Sequence, residues 1–101
     1  MKKYPFDWDT EKNTLLKETR GVCFEDIAFA LNNGAWSVDE PHPNQEQYPH
    51  QRVLTVLIDD YAIVVPYVID EERKVLFLKT LFPSRKLTKF HFSQHYDRKE
   101  N

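Results

Sequence analysis

The 101-residue sequence is poor in cysteine and glycine, and it contains no long apolar run. Cys23 is its single cysteine, which excludes an intrachain disulfide and makes a reducing compartment the simpler expectation. The longest nearly apolar segment, residues 61–69, is far shorter than the ~20 residues that a membrane-spanning helix needs. The basic residues at the start are not followed by the apolar stretch of a signal peptide. We therefore expect a cytoplasmic, soluble protein with no membrane partner.

The composition that remains is typical of a small folded domain. Hydrophobic residues make up 41% of the chain and aromatic residues 14%, which suffices for one hydrophobic core but, at this length, not for two. The sequence contains no internal repeat and no low-complexity tract. We predict a single domain over residues 1–101, with residues 97–101 frayed.

Acidic residues are absent between positions 73 and 91, although the net charge of the chain is −2. That segment carries six basic residues: Arg73, Lys74, Lys79, Arg85, Lys86 and Lys89. The preceding segment, 41–72, has the reverse balance, with six carboxylates against Arg52 alone. Because a local patch rather than the net charge decides the attraction to phosphate, residues 73–91 are candidates for contact with nucleic acid. The alternative is an ordinary solvated face.

Two short helices are predicted at the start of the chain. Asp9 is a suitable N-cap for the first, and Gly21 ends it because glycine adopts the left-handed conformation at low cost. The second follows at once and ends at residues 32–34. Its apolar residues recur at helical spacing: Phe24, Ile27, Ala28 and Leu31.

Strands and a third helix are predicted downstream. Residues 36–38, 53–58, 61–69 and 75–82 read as strands, with an irregular loop over 39–50. Asp59 and Asp60 form a two-residue hairpin turn, since Asp tolerates positive φ. Pro66 lacks a donor, so its strand should be an edge there or bulged. Ser84 is the candidate N-cap of the last helix, with Leu87 and Phe90 facing inward.

These elements predict an α+β fold with two N-terminal helices packed on an antiparallel three- to four-stranded sheet and a C-terminal helix. The helices should cover one face of the sheet, leaving the other face, or the groove beside it, for a partner or substrate. We expect one core shared by Phe6, Trp8, Leu15, Ile27, Leu31, Val56 and Val64, and we expect Trp36 to be a core residue as well.

Motifs at both ends of the chain resemble the BrnT-type toxins of bacterial toxin–antitoxin pairs. At the front these are Trp8-Asp9, Lys12, Gly21-Val22 and Phe24-Glu25, and at the back the segment 82–88, which leaves the last strand and enters a helix. Arg52 falls near the arginine that opens the family's central strand, and Tyr67 near an aromatic residue in the next strand. The resemblance spans roughly residues 6–90.

The resemblance implies the RelE-like ribonuclease fold and RNA cleavage that needs no metal or other cofactor and inhibits translation. It also implies a partner, a cognate DNA-binding antitoxin of the ribbon-helix-helix or helix-turn-helix type, so that DNA is contacted only through the complex. The chain departs from the family's pattern at Leu16, Arg20, Cys23 and His91. The departures at Arg20 and His91 favour the alternative, a non-catalytic protein-binding module of the same fold that acts in a repressor complex. The basic residues at the point where the last strand becomes a helix favour the ribonuclease.

Metal-free RNA cleavage needs a base for the 2′-hydroxyl, an acid for the leaving 5′-oxygen and cations for the phosphate. The candidate catalytic residues are Arg85, Lys79, Tyr67 and His91, and the candidate RNA- or phosphate-binding residues are Lys86, Lys89 and Arg52. His42 and His50 are further candidates for proton transfer, but they lack partners at ligand spacing, so no metal site is predicted. The alternatives are that Tyr67 is a half-buried sheet aromatic and that Arg85 and Lys86 are ordinary surface residues.

Overall fold

The computed structural model describes residues 3–96, with side chains described through residue 91, and it confirms the α+β class. The elements in chain order are β1 (Phe6–Asp7), α1 (Thr10–Arg20), α2 (Phe24–Asn32), β2 (Ser37–Pro41), β3 (Gln51–Ile58), β4 (Tyr61–Asp70), β5 (Val75–Leu78), β6 (Phe82–Pro83) and α3 (Arg85–Tyr96). The predicted fraying of residues 97–101 lies outside the described residues. No helix within residues 3–96 is long and apolar enough to cross a membrane.

The two N-terminal helices begin and end where their capping residues predict. The Lys12 backbone N–H donates to Asp9 Oδ1 over 3.1 Å at the start of α1, and Gly21 ends that helix with a φ of 72°. The side chain of Asn13 joins the two helices, because its Oδ1 accepts from the Phe24 backbone N–H over 2.7 Å and its amide donates to Glu25. These two hydrogen bonds fix the start of α2 against α1 across the turn.

The sheet contains six strands among the described residues, so the prediction of three or four is wrong. Its order is β1-β5-β4-β3-β2, and β6 pairs with β4. The pairs are antiparallel except for β1 and β5, which run parallel with Phe6 opposite Leu76. A strand of two residues is too short to show an alternating pattern in the sequence. Residues 6–7 form a strand only because β5, which is distant in sequence, lies beside them. For the same reason the predicted strand over 75–82 separates into β5 and β6.

The β3–β4 hairpin has the predicted turn. Asp59 and Asp60 have φ values of 50° and 63°, as a two-residue hairpin turn with both central residues left-handed requires. The strands reach slightly further than predicted, and β2 runs to Pro41 rather than ending at residue 38. The irregular loop is correspondingly shorter, over residues 42–50.

Pro66 lies where β4 pairs with a strand on one side only, so the prediction of an edge at this position is confirmed, and the strand has no bulge there. Pro66 lies opposite Val53 in an unbroken register with β3, at a position where the backbone groups of β4 point toward β5. There its carbonyl accepts from the Lys79 backbone N–H over 2.8 Å. A residue with a backbone N–H at this position would also donate a hydrogen bond toward β5. Proline has no N–H, and the missing bond falls in the gap between the end of β5 and the start of β6.

The core lies between α1 and α2 and one face of the sheet, which we call the α1–α2 face. This face is formed by Leu54, Val56, Ile63, Val65 and Tyr67, all buried beneath Leu16, Phe24 and Ile27 of the helices. Phe6, Trp8 and Leu31 pack at its margin as predicted. Leu15 is instead 55% exposed, because Leu16 takes the inward position one residue later. Val64 alternates with Ile63 and Val65, so it is buried on the opposite face.

The third helix covers the opposite face of the sheet, so the prediction that all helices share one face is wrong. Leu87, Phe90 and His91 of α3 line the same groove as Thr55, which alternates with the core residues of β3. We call this side, with Val38, Thr55 and Ala62, the α3 face. Ser84 caps α3 as predicted, accepting from the Leu87 backbone N–H over 3.2 Å.

Burial of α3 differs from the prediction because a different residue anchors the helix. Buried Thr88 accepts a hydrogen bond from the Ala62 backbone N–H over 2.9 Å and donates to the Ser84 carbonyl over 2.7 Å. Leu87 and Phe90 remain 38% and 62% exposed, so they do not face inward as predicted. The helix is therefore attached to β4 along one side and leaves a groove on the other.

Candidate functional site

The predicted site residues divide between the two faces of the sheet. Tyr67 and Arg52 lie on the α1–α2 face, directly opposite each other across β4 and β3. The other five lie at the end of β5 or on α3: Lys79, Arg85, Lys86, Lys89 and His91. The Lys79 ammonium lies 5.9 Å from the ring centroid of Phe77, which alternates with core residues of β5 and so faces the α3 side. The fold thus forms two separate groups rather than one combined site.

The first group is a polar cluster that the sequence did not reveal in full, because its centre is Asp39. The Tyr67 hydroxyl lies 2.9 and 2.8 Å from the two carboxylate oxygens of Asp39, and Arg52 Nε donates to Asp39 Oδ1 over 3.1 Å. Tyr67 is 1% exposed, whereas the side chains of Asp39 and Arg52 are 18% and 33% exposed. The three residues come from three neighbouring strands and share one face of the sheet.

The electrostatics of this cluster keep both of its hydrogen-bond donors protonated. Burial, reinforced by the adjacent Asp39 carboxylate, raises the pKa of Tyr67 from 10.0 to about 12. The hydrogen bond to Asp39 likewise raises the pKa of Arg52. A phenol whose proton is held by a carboxylate is a poor donor to a leaving group at neutral pH. The geometry therefore favours a positioning role for Tyr67 over proton transfer.

The second group is a row of cations on the exposed side of α3. Arg85, Lys86 and Lys89 are exposed, and none of them makes an ion pair with another residue of the described chain. Arg73, by contrast, pairs with Asp7 and with Asp70, so it belongs to the structure of the β4–β5 turn. The charge that remains available to a ligand in the segment 73–91 is thus concentrated near and on α3.

A groove of about 280 Å³ lies beside these cations, between α3 and the α3 face of the sheet. Its lining is Trp36, Val38, Glu40, Thr55, Ala62, Leu87, Phe90 and His91. The rings of Trp36 and His91 are 4.8 Å apart, centroid to centroid, at 57°. Trp36 is 44% exposed and is therefore not the core residue that the sequence predicts. It lies immediately before β2, at the margin of the sheet, and packs against His91 of α3.

Other candidates from the sequence have structural explanations. His42 packs against Tyr48 with ring centroids 4.6 Å apart, and its Nδ1 accepts from the Asn44 backbone N–H over 3.0 Å. Cys23 is buried at the start of α2, where burial raises the pKa of its thiol. Among the side chains that the structure describes, residues 3–91, no three His, Cys, Asp or Glu residues come together as a metal site.

Sequence reasoning did not identify the residues that line the groove, because they lie far apart in the chain. Trp36 lies just before β2 and Glu40 lies on it, whereas Leu87 and Phe90 come from α3. The one available signal was the alternation over residues 36–40, which places Trp36, Val38 and Glu40 on the same side. The groove can accept a flat apolar ligand that carries negative charge outside it.

Comparison with models of protein families, with curated proteins and with solved structures finds no match to this chain.

Proposed function

We propose that this chain is the toxin of a bacterial toxin–antitoxin pair, a metal-independent endoribonuclease of RelE-like fold that inhibits translation. The proposal joins the resemblance to BrnT-type toxins to one structural observation. That observation is the row of exposed cations on α3, Arg85, Lys86 and Lys89, beside a groove with exposed aromatic residues. Cations that track phosphates beside aromatic rings that stack on bases are typical of surfaces that bind single-stranded nucleic acid.

The proposed chemistry is attack of the 2′-oxygen on the adjacent phosphorus, with departure of the 5′-oxygen. Arg85 is the principal candidate for stabilising the phosphate charge, because a guanidinium can donate two parallel hydrogen bonds to it. Lys86 acts more weakly as a single ammonium, and Lys89 binds a neighbouring phosphate. His91 is the candidate for proton transfer, since an imidazole both accepts and donates protons near neutral pH.

Tyr67, Arg52 and Lys79 have a different place in this proposal from the one the sequence predicts. Tyr67 and Arg52 lie on the α1–α2 face, bound to Asp39, and hold three strands in register. Lys79 adds positive charge on the α3 side without joining the groove lining. The proposal therefore rests on α3 alone for the chemistry.

The partner in this proposal is a cognate antitoxin of the ribbon-helix-helix or helix-turn-helix type, which contacts DNA for the complex. An acidic segment of the antitoxin would cover residues 79–89 and neutralise the cations there. Co-expression of the two genes of the operon should give a complex that survives purification at low salt. Separate elution of the two proteins would contradict this partner.

A second candidate is the non-catalytic binding module of the same fold, acting in a repressor complex. One observation favours it: the proposed catalytic residues are divided between two faces, and Tyr67 is committed to Asp39. In that case the cations of α3 would serve only to bind the antitoxin.

Expression of the wild-type chain and Arg85→Ala without antitoxin distinguishes the two candidates. Removal of one stabiliser of transition-state charge typically lowers a rate by ~10²–10³-fold, so Arg85→Ala should relieve growth inhibition while its thermal melt stays unchanged. Lys17→Ala is the matched control, since it removes an exposed helical cation from α1. Equal toxicity of Arg85→Ala and wild type would refute the role proposed for Arg85 in catalysis. Absence of toxicity and of RNA cleavage in the wild type would favour the binding module.

A further inference from the structure

We propose that the groove between α3 and the sheet binds one unpaired base of single-stranded RNA, and that Glu40 makes guanine the preferred base. The inference rests on the proposed RNA-directed function and specifies how the substrate is recognised. It follows from the shape of the groove, the distribution of charge around it and the position of Glu40 on β2.

The size and lining of the groove suit a single flat ligand. Its volume of about 280 Å³ is just below the range for sites that hold drug-sized molecules, roughly 300–1,000 Å³. Trp36, just before β2, and Phe90, on α3, both line the groove and expose 44% and 62% of their surfaces. Aromatic faces of this kind hold unpaired bases by stacking.

The charges around the groove are complementary to those of a nucleotide. Lys86 and Phe90 are four residues apart on α3 and so are neighbours on its surface, and Lys89 is adjacent in sequence. These cations lie outside the groove, whereas Glu40 is the one carboxylate among the described residues that line it. A nucleotide has the matching order, with a neutral base that can enter the groove and a phosphate that stays outside. An acidic peptide segment would bring negative charge toward Glu40, which makes it the less favoured occupant.

Glu40 determines which base fits best. It makes no hydrogen bond or ion pair with other described residues, and its position opposite Val53 directs it to the α3 face. A carboxylate only accepts hydrogen bonds, and guanine offers two adjacent N–H donors on its Watson–Crick edge. Adenine and cytosine place an acceptor nitrogen beside their amino group, and uracil places carbonyls on both sides of its single N–H. Guanine alone can satisfy both carboxylate oxygens.

Fluorescence anisotropy of labelled 2′-O-methyl oligonucleotides, which cannot be cleaved, tests the proposal on the full chain. Uridine oligomers with one central guanine should bind tighter than all-uridine oligomers by roughly 5- to 100-fold, the discrimination of one bidentate contact. Glu40→Gln should abolish most of this preference. Phe90→Ala should weaken binding of every oligomer by roughly fivefold or more.

Phe29→Ala is the matched control, because Phe29 is 70% exposed on α2, outside the groove lining. It should leave both affinity and base preference unchanged. Lys89→Ala should weaken all oligomers alike and reduce the salt dependence of binding by about one charge. Thermal melts of each variant confirm that its fold is retained.

Three results would overturn the inference: no guanine preference in the wild type, an undiminished preference in Glu40→Gln, or equal effects of Phe90→Ala and Phe29→Ala. Binding of the antitoxin alone, with no oligonucleotide bound at low salt, would also overturn it and identify a protein-docking groove. If the wild type is toxic but shows no guanine preference, the proposed ribonuclease function stands and the guanine site is refuted. If the wild type binds guanine selectively but is not toxic, the guanine site stands and the ribonuclease function is refuted.

Discussion

Substitution of Tyr67 by phenylalanine tests whether the polar cluster stabilises the sheet. The change removes only the hydroxyl, which lies within 2.9 Å of both Asp39 carboxylate oxygens, from a side chain that is 1% exposed. Hydrogen bonds to charged groups contribute about 1.5–3 kcal/mol. We expect Tyr67→Phe to lower the free energy of unfolding at neutral pH by that amount, because Asp39 keeps its partial burial and loses a donor. Urea unfolding followed by circular dichroism measures the change.

The same contact predicts how this contribution depends on pH. The pKa of Tyr67 is about 12 in the folded chain against an ordinary value of 10.0, so folding favours the protonated phenol. Its contribution is complete below pH 10 and is lost as the pH rises through about 12. At about 1.4 kcal/mol per pKa unit, the lost stability is on the order of 3 kcal/mol. The stability difference between wild type and Tyr67→Phe should narrow across this window, and ultraviolet titration should show one late-ionising phenol that Tyr67→Phe lacks.

The control for this prediction is Tyr61→Phe at the other end of β4. Tyr61 is 37% exposed beside the hairpin turn, so the loss of its hydroxyl should change stability by less than about 0.5 kcal/mol. Equal stability of the two variants at neutral pH, or a difference between wild type and Tyr67→Phe that stays constant in alkali, would refute the reasoning. Either result would mean that Asp39 is satisfied without the tyrosine.

Three further substitutions test the core, the attachment of α3 and the proposed activity. Ile27→Ala should destabilise the chain by about 2–5 kcal/mol in urea unfolding, since Ile27 is fully buried, and a loss below 1 kcal/mol would contradict its place in the core. Thr88→Val should cost about 1–3 kcal/mol because the Ala62 backbone N–H loses its buried acceptor, and its thermal melt should fall accordingly. Arg85→Ala should reduce cleavage of RNA by ~10²–10³-fold with an unchanged melt, and undiminished cleavage would exclude the role proposed for it.

The local features of this fold were predictable from short stretches of sequence. Asp9, Gly21 and Ser84 mark helix ends because each satisfies or terminates backbone hydrogen bonds within a few residues of itself. Asp59 and Asp60 identify the hairpin turn because few residues tolerate two successive left-handed conformations. In each case the interaction that decides the structure lies inside the segment that carries the signal.

The candidate site was only partly predictable, as Tyr67 and Asp39 illustrate. The sequence marks Tyr67 as an aromatic on a strand, but the role of its hydroxyl depends on Asp39, 28 residues earlier. The sequence places Asp39 in a loop, because pairing with β3 rather than its own composition extends β2 to Pro41. The basic residues of α3 were identified correctly as an exposed cationic segment, since charge content can be read directly from the sequence.

The sequence by itself determined the α+β class, the helix caps, the β3–β4 hairpin and the basic character of the segment that contains α3. Only the tertiary structure decided that β1 pairs with β5, that α3 covers the face opposite α1 and α2, and that Trp36 and Phe90 border one groove. The reason is the range of the interactions involved. Caps and turns depend on hydrogen bonds and steric contacts between near neighbours, whereas the face that a side chain occupies depends on the register of strands that are distant in the chain.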